Sequence, residues 1–264
     1  MGIEAIRRKE FIKRVVTDRG GISVAETARK LDVSEVTVRR YLEELEKEGI
    51  LIRTYGGAVK TQNNISAEFL FKKKTGRNLK EKRAIARTAF KFVNQGESIF
   101  IDAGTTTLEL ARCIRENRLK ITVATTSLPI ASELADTETV KLLLLGGFLR
   151  RELFDLFGPF TVGELKHLTF NQAFLGVDGI SFRDGLTTTD SVTALIEETV
   201  MERSRVINIL ADHTKIGHVA LIPYGNIKSM NKTRRLIIDR KVSSGEIRKL
   251  QKLGLKVVLA QGQP

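Results

Sequence analysis

Tryptophan is absent from this 264-residue chain, and aromatic residues make up only 6% of it. That scarcity argues against a protein that reads RNA or single strands by stacking bases on exposed rings. A single cysteine cannot form an intrachain disulfide, and the N-terminus lacks the apolar segment of a secretion signal. No apolar run approaches the roughly 20 residues of a membrane-spanning helix. We therefore expect a cytoplasmic protein with no membrane partner.

The spacing of ligands that a metal site needs is also missing. The histidines His167, His213 and His218 are scattered along the chain. Cys113 lies in a segment with helical apolar spacing, where a buried thiol is the ordinary explanation. We expect no metal and no other cofactor.

Positive charge, in contrast, is plentiful, with a formal net charge of +13. Such an excess favours a polyanionic partner such as nucleic acid. The excess is densest in residues 61–83, which hold 7 Lys/Arg against 2 Asp/Glu. These cations could face DNA phosphates or point into solvent: Lys72, Lys73, Lys74, Arg77, Lys80, Lys82 and Arg83.

Three helices are predicted at the N-terminus. Apolar residues recur at helical spacing over 3–16, and glycines follow that segment. Ser23 precedes a second helix, and Glu26 stands where it would close a capping box with Ser23. Ser34 caps a third helix, which continues through Glu48. Two short helices joined by a tight turn indicate a helix-turn-helix.

The third helix has an apolar and a polar face. Val38, Leu42 and Leu45 fall on the inner face, whereas Val36, Arg39, Arg40 and Glu43 point outward. Arginine suits bidentate contact with guanine or pairing with phosphate. Arg39 and Arg40 could instead pair with Glu43 and Glu44 on a solvated face. The capped turn before the helix and the hairpin after it favour a DNA-recognition helix.

A β-hairpin is predicted after this helix, with strands at 50–52 and 58–59 around a turn that contains Gly56 and Gly57. Residues 1–60 therefore predict a winged helix-turn-helix, followed by a basic linker at 61–78. Candidate DNA contacts lie on the recognition helix and the wing: Ser34, Val36, Thr37, Arg39, Arg40, Arg53 and Lys60.

From residue 79 the pattern alternates helices with short apolar strands, which is typical of a mostly parallel α/β sheet. Strands are predicted at 98–101, 121–124, 140–145, 172–177, 206–210, 236–238 and 257–259. Helices are predicted at 80–94, 107–115, 128–134, 162–168, 191–203 and 245–253. The expected fold class is α/β, with the winged head joined to a larger Rossmann-like domain over 79–264.

Small and polar residues follow five of these strands, at the ends where such sheets bind ligands. The segment DAGTT at 102–106 combines a glycine, hydroxyls and free amides at a helix N-terminus, which suits a phosphate monoester. Similar residues stand at 125–127, 146–147, 178–179 and 211–215, and Thr187 to Asp190 could add hydroxyls. Each loop alone could be a cap or a turn. Their convergence favours a polyol phosphate pocket.

The chain resembles the DeoR family of bacterial sugar-metabolism regulators. The matching segments are SVAETARKLDVSEVTVRRYLEELEKEGILIRTYGGAV in the head, then EKRAIARTA, IFIDAGTTTLELA, TVATTSLPIASEL, LLLLGGFLR, AFLGVDGI and LADHTKIG. They cover nearly all of residues 5–220. The resemblance implies a transcription factor, most often a repressor, whose C-terminal domain is similar to phosphosugar isomerases and senses a phosphorylated sugar.

The same resemblance implies two partners, a double-stranded DNA operator and a phosphorylated sugar effector. Helix-turn-helix proteins usually read paired half-sites, so a homo-oligomer, a dimer or higher, is expected. The effector-binding residues carried over are Asp102, Gly104, Thr105, Thr106, Thr125, Thr126, Ser127, Gly146, Gly147, Asp178, Gly179 and Lys215. Tyr41 stands where the family usually has Asp, and Thr126 where Asn is common.

A phosphosugar isomerase with an accessory head is the alternative. Isomerisation needs a base near a carbon-bound proton, and Glu197, Glu198 or Asp178 could serve. Glu197 and Glu198 share a helix with Glu202 and Arg203, so a solvated face is favoured over a catalytic role. We expect a regulator with no catalytic residues.

Overall fold

The structure is a computed structural model that describes residues 3–48, 50–54, 56–60, 74–151, 153–225 and 233–261. The chain forms two compact units, Met1–Lys73 and Lys74–Pro264. In the described ranges, no helix is long and apolar enough to cross a membrane.

The first unit contains α1 (Ile3–Arg19), β1 (Gly21–Ser23), α2 (Val24–Leu31), α3 (Glu35–Lys47), β2 (Leu51–Thr54) and β3 (Gly57–Lys60). The predicted helix-turn-helix and its wing are confirmed. The wing has a third strand that the sequence pattern did not predict, because β1 is only three residues long and pairs with β3. Gly57 permits that pairing, since a Cβ there would lie 2.0 Å from the Ile22 carbonyl oxygen.

The core of this unit is formed by the inner face of α3 and its neighbours. Val38, Leu42 and Leu45 are buried as predicted, and Tyr41 joins them with 4% of its surface exposed. The capping box predicted at Ser23 is wrong. The Ser23 side chain makes no capping hydrogen bond, and its carbonyl oxygen accepts the Thr27 hydroxyl at 2.6 Å.

The second unit is built on a seven-stranded sheet in which all strands are parallel, in the order β15-β14-β12-β9-β4-β5-β6. Each of the seven predicted strands overlaps one strand of this sheet. Their bounds are β4 Ser98–Ile101, β5 Ile121–Thr125, β6 Val140–Leu144, β9 Phe170–Leu175, β12 Ser204–Ala211, β14 Thr233–Ile238 and β15 Lys256–Leu259. The predicted Rossmann-like α/β fold is confirmed.

Six helices accompany these strands, one before β4 and five between later strands, and each overlaps a predicted helix. They are α4 (Leu79–Phe90), α5 (Thr105–Asn117), α6 (Leu128–Leu134), α7 (Pro159–Lys166), α8 (Ser191–Arg203) and α9 (Ser244–Lys252). The central strands are apolar on both faces because helices cover the sheet, and Phe100, Phe174 and Ile207 are fully buried.

Two small antiparallel sheets were not predicted. One is the hairpin of β7 (Phe148–Arg150) and β8 (Asp155–Phe157). The other joins β10 (Gly179–Ser181), β11 (Gly185–Thr188) and β13 (Ile222–Tyr224). Their strands are three or four residues long, too short to show a clear period.

Candidate functional site

The N-terminal end of α3 is capped and exposed. The Thr37 amide donates to Ser34 Oγ at 3.2 Å, and the two hydroxyls lie 2.9 Å apart. Val36, on the outer face, has 72% of its surface exposed. This end of the helix thus presents small polar and apolar groups to solvent.

The two arginines of α3 differ in their partners. Arg39 Nη2 pairs with Glu35 Oε2 at 2.6 Å, and not with Glu43. The Arg40 guanidinium lies 5.6 Å from the centre of the Tyr41 ring, and within the described chain it forms no ion pair. Arg40 therefore retains its hydrogen-bond donors for an outside partner. Tyr41 fills core volume beneath it, with 4% of its surface exposed.

The wing carries the third arginine. The Arg53 amide donates to Glu46 Oε1 at 2.7 Å, whereas the guanidinium is 3.9 Å from Glu46 Oε2. The backbone contact fixes the strand and leaves the guanidinium loosely held and exposed. The backbone of Lys60 belongs to β3, but its side chain lies outside the described residues.

In the second unit, the predicted effector residues follow β12, β9, β4, β5 and β6, which are consecutive neighbours in the sheet. Because the strands are parallel, their carboxyl ends meet at one edge. The structure thus brings the five loops to a single edge, as the sequence pattern implied.

The loop after β4 is organised around Asp102. Its Oδ2 accepts the Gly176 amide at 3.0 Å, and its carbonyl oxygen accepts the Thr107 hydroxyl at 2.7 Å. Gly104 is the N-cap of α5 and offers no side chain to that helix. The first amides of a helix have no intrahelical partner, so those of Thr105 and Thr106 are suited to an anion.

Burial raises the pKa of Asp102 to about 6, even though the Gly176 amide acts in the opposite direction. A carboxyl group with this pKa can donate or accept a hydrogen bond near neutral pH. It is therefore suited to a ligand hydroxyl.

The loop after β5 is buried, and two of its three hydroxyls support the backbone. Thr125 Oγ1 accepts the Ser127 amide at 3.1 Å, and Ser127 Oγ accepts the Ile130 amide at 3.3 Å as the cap of α6. Within the described residues, the Thr126 hydroxyl makes no hydrogen bond. Of this loop, Thr126 is the side chain whose hydroxyl is wholly unused within the described residues.

The two glycines after β6 have different constraints. The Gly146 amide donates to Glu164 Oε2 at 3.0 Å, and a Cβ at Gly146 would meet only a carboxylate oxygen of that residue, at 3.5 Å. Gly147 has φ +152°, and a Cβ there would lie 2.3 Å from Thr161 Oγ1 and 2.5 Å from the Phe157 carbonyl oxygen. Gly147 is therefore required for close packing at the start of β7.

The loop after β9 ends at Asp178. Its Oδ2 accepts the Thr188 hydroxyl at 3.2 Å and the Thr189 amide at 3.3 Å. Gly179 begins β10, where a Cβ would lie 2.2 Å from the His218 carbonyl oxygen. These contacts tie the small β10-β11-β13 sheet to the carboxyl end of β9.

After β12 the chain forms a 3-10 turn, His213–Lys215, capped by Asp212. The Thr214 amide donates to Asp212 Oδ1 at 2.9 Å. Burial would raise the pKa of Asp212, but hydrogen bonds from Thr214 outweigh burial and lower it. Within the described part of the chain, the Lys215 ammonium forms no ion pair, so it remains available to an anion.

The cations of residues 61–83 were expected either to face DNA phosphates or to point into solvent. Lys82 does neither, because it is buried. Only 6% of its surface is exposed, and its ammonium donates to the Lys74 carbonyl oxygen. Burial lowers the pKa of Lys82 to about 8; the Asp212 carboxylate opposes this change, and Lys215 adds to it. Lys72 and Lys73 lie outside the described residues.

Arg150 was missed as a site residue, although it ends the segment LLLLGGFLR. Its Nε and Nη2 donate to Asp155 Oδ1 and Oδ2 at 2.9 and 2.6 Å. Its Nη1 donates to Thr193 Oγ1 at 2.8 Å and to Asp190 Oδ1 at 3.3 Å. One guanidinium thus joins the β7–β8 hairpin to the start of α8.

Glu197 was expected on a solvated face, and this is wrong: only 4% of its surface is exposed. Burial raises the pKa of Glu197 well above its usual value, and the Asp102 carboxylate raises it further. The equally buried Tyr224 hydroxyl interacts with this carboxyl group and lowers its pKa, and in the described residues neither Glu197 Oε2 nor that hydroxyl has a further hydrogen-bond partner. The only sequence signal was that apolar residues surround Glu197 on several faces of α8.

Two further features lie apart from this edge. A cavity of about 340 Å³ is lined by Asn171, Val206 and Arg235, at the opposite edge where the strands begin. Among the described residues, no group of three His, Cys, Asp or Glu could hold a metal ion. Cys113 is half-buried, and burial raises the pKa of its thiol to about 11.

Chemically, the carboxyl edge combines two kinds of group. The α5 N-terminus and Lys215 are suited to a phosphate, because both offer unused donors. Asp102, Asp178 and Glu197 supply carboxyl groups, which pair with hydroxyls as donors or acceptors.

Comparison with known proteins identifies both units. The DeoR-like helix-turn-helix domain matches residues 7–64, and the DeoR C terminal sensor domain matches residues 77–240. The putative aga operon transcriptional repressor of Escherichia coli is 30% identical over 96% of this chain and 93% of its own length. The lactose phosphotransferase system repressor of Lactococcus lactis is 34% identical over 79% of this chain and 82% of its own length.

A third relative, the transcriptional regulator GlpR of Haloferax volcanii, is 32% identical over 95% of this chain and 96% of its own length. Among solved structures, ribose 5-phosphate isomerase A of Methanocaldococcus jannaschii is 21% identical, with a TM-score of 0.38 over 51% of this chain and 53% of that one. The three relatives are named as regulators or repressors and not as enzymes. The chain belongs to the DeoR family of DNA-binding transcriptional regulators.

Proposed function

We propose that this protein represses a sugar or carbohydrate catabolic operon and is released from its operator by a phosphorylated sugar. The observation that carries the proposal is the carboxyl edge of the sheet, where an uncapped helix N-terminus, Lys215 and several carboxyl groups converge. The names of the aga operon and lactose phosphotransferase relatives support the sugar-operon assignment.

The DNA contacts belong to the head at 1–60, which the basic linker at 61–78 joins to the sensing domain at 79–264. Arg40 is the first candidate, because its guanidinium is exposed and free of ion pairs in the described chain. Base or phosphate contacts are assigned to Ser34, Val36, Thr37, Arg39, Arg40, Arg53 and Lys60.

The effector lies against the carboxyl edge, with its phosphate on the amides of Thr105 and Thr106 beside Lys215 and its hydroxyls toward the carboxyl groups. The complete proposed set is Asp102, Gly104, Thr105, Thr106, Thr125, Thr126, Ser127, Gly146, Gly147, Asp178, Gly179 and Lys215, to which we add the buried Glu197 and Tyr224. The effector releases DNA by binding the DNA-incompetent state more tightly. Coupling of about 1–3 kcal/mol, or about 5- to 150-fold in operator affinity, is the ordinary scale.

The DNA-binding part is tested by fluorescence anisotropy with DNA from the promoter region of the protein's own gene. Arg40→Ala should weaken specific binding by about 5- to 150-fold, the loss of about 1–3 kcal/mol typical of a base-reading arginine. Arg8→Ala is the matched control, since Arg8 lies on α1 and pairs with Glu4 at 3.0 Å. Unchanged binding by Arg40→Ala would contradict the proposal.

The sensing part is tested by a thermal-shift screen of pentose, hexose and hexosamine phosphates, each compared with its unphosphorylated sugar. A specific ligand at 100 times its Kd should stabilise the protein by about 2.7 kcal/mol. Lys215→Met should reduce the shift from the phosphorylated form. If no phosphorylated sugar shifts the melting temperature, or the unphosphorylated sugars act equally, the effector assignment fails.

A further inference from the structure

Exposed apolar side chains of the second unit are concentrated in one stretch of the chain. Of the twelve large apolar side chains that are exposed in the described residues, five fall within residues 143–160. These five, with the exposed share of each, form what we name the edge patch: Leu143 (40%), Leu144 (38%), Phe148 (57%), Leu149 (49%) and Phe160 (67%). Exposed apolar side chains that share one surface usually mark an interaction site, and Phe148 and Phe160 share one here.

Part of the patch lies on an edge strand. β6 is the last strand at one end of the seven-stranded sheet, and in the described chain its outer side pairs with no other strand. An uncovered edge presents free backbone amides and carbonyls, and natural proteins usually protect such an edge with charged residues or proline. Here the exposed residues of the strand are Lys141, Leu143 and Leu144, so a charge protects its start and its carboxyl end is apolar.

The aromatic members of the patch are held in position by their neighbours. The centre of the Phe148 ring lies 6.0 Å from the centre of the Phe160 ring and 6.5 Å from the centre of the partly buried Phe157 ring. A Cβ at Gly158 would approach Phe148 to 3.0 Å, so glycine there makes room for the ring. The two exposed phenylalanines therefore form a preorganised surface.

The charge of this surface indicates its partner. Residues 142–149 (LLLLGGFL) and 157–163 (FGPFTVG) contain no charged side chain, although the chain as a whole carries +13. Two copies of so cationic a chain repel each other over most of their surface. A two-fold interface brings the same patch of both copies together, so an uncharged patch is where this repulsion is smallest.

We propose that the edge patch is a two-fold interface with a second copy of this chain, in which Phe148 and Phe160 of each protomer are buried. The proposal goes beyond the proposed function, which needs paired heads but does not locate the contact. It also places the interface beside the candidate effector site, because Phe148 directly follows Gly147 of the proposed effector set.

The test is sedimentation equilibrium of the full chain between 1 and 100 μM, with far-UV circular dichroism to verify folding. The parent should form a dimer or a higher even-numbered oligomer, and Phe148→Asp combined with Phe160→Asp should raise the dimer dissociation constant at least about 30-fold, as loss of interface hot spots does. Leu259→Asp, at a 38% exposed position on β15 at the opposite edge, is the matched control and should leave association unchanged.

If the double variant loses its far-UV signal, Phe160→Ser alone replaces it, since that side chain is the most exposed of the patch. Three outcomes would overturn the proposal. They are a parent that is monomeric at 100 μM, a folded patch variant that associates as tightly as the parent, and a Leu259→Asp variant that loses association equally.

Discussion

Arg150 and Asp155 face each other across the β7–β8 hairpin and share two hydrogen bonds, Nε to Oδ1 at 2.9 Å and Nη2 to Oδ2 at 2.6 Å. Asp155 has only 3% of its surface exposed. Paired in this way, the carboxylate is stable where it would otherwise lack both water and a counter-ion. Loss of the ion pair would therefore destabilise the protein mainly because it leaves the Asp155 carboxylate buried without a counter-ion.

Replacing Arg150 by methionine should lower the free energy of unfolding by about 3 kcal/mol, because it leaves the Asp155 carboxylate buried and unpaired. Urea denaturation of the parent and the variant measures the difference. The double variant Arg150→Met with Asp155→Leu removes the stranded charge and should recover much of the loss. A single variant within 1 kcal/mol of the parent would show that Asp155 finds another partner.

Asp102 predicts a specific pH dependence. Its native pKa of about 6 lies above its usual value of 3.8, so between these pH values the native state holds a proton that the unfolded state has released. Stability from this group is therefore fully present below about pH 4 and is lost as pH rises through 6. Titration of Asp102 should therefore lower the free energy of unfolding at pH 7, relative to that below pH 4, by on the order of 3 kcal/mol.

Asp102→Asn isolates this effect, because asparagine has the same shape and does not titrate. The stability of the variant relative to the parent should rise between pH 4 and pH 7, as measured by urea denaturation at each pH. Because the Asp102 carboxylate helps to raise the pKa of Glu197, the comparison is repeated with Glu197→Gln in both proteins, which removes the titration of that neighbour. An equal pH dependence in parent and variant would contradict the raised pKa of Asp102.

The neighbouring glycines Gly146 and Gly147 should respond differently to alanine. Gly147→Ala places a Cβ against the Phe157 carbonyl in a backbone conformation that L residues avoid, so it should destabilise the protein by about 3 kcal/mol. Gly146→Ala meets only a carboxylate oxygen of Glu164, at 3.5 Å, and should change stability by less than about 1 kcal/mol. Thermal unfolding of the two variants side by side tests the contrast, and equal losses would contradict it.

Lys82→Met should loosen the backbone near Lys74 while it leaves the free energy of unfolding of the protein nearly unchanged. Burial already disfavours the charged form of Lys82, so an apolar side chain of similar length should change the free energy of unfolding little. Loss of the ammonium should nevertheless free the Lys74 carbonyl, so hydrogen exchange in residues 74–78 should become faster. Unchanged exchange there, with the rest of the protein as in the parent, would show that the hydrogen bond does not order this segment.

The sequence predicted the large elements well because they are long or strongly periodic. The strands of the parallel sheet are buried on both faces and therefore appear as apolar runs, as at Ser98–Ile101. The winged head followed from the inner face of α3 and the Ser34 cap. In contrast, the predicted capping box failed because Ser23 belongs to β1, where its backbone pairs with Gly57 and its carbonyl receives the Thr27 hydroxyl.

The candidate site was predictable only in part, because burial of charged residues depends on tertiary packing. Loops such as 102–106 were visible from their small polar residues next to apolar strands. Glu197 and Lys82 appear in the sequence as ordinary helix-surface charges, yet α8 and α4 are covered on those faces by other elements. Arg150 lies on a three-residue strand whose pairing with β8 no local pattern reveals.

The contact between Lys82 and the Lys74 carbonyl has a consequence for how a signal would leave the sensor. Lys74 is the first residue of the second unit, so every force between sensor and head that passes along the backbone crosses this peptide group. The ammonium that holds it also senses the charges of Asp212 and Lys215. An anion bound beside Lys215 would therefore compete with the Lys74 carbonyl for the same ammonium, at the residue where the second unit begins.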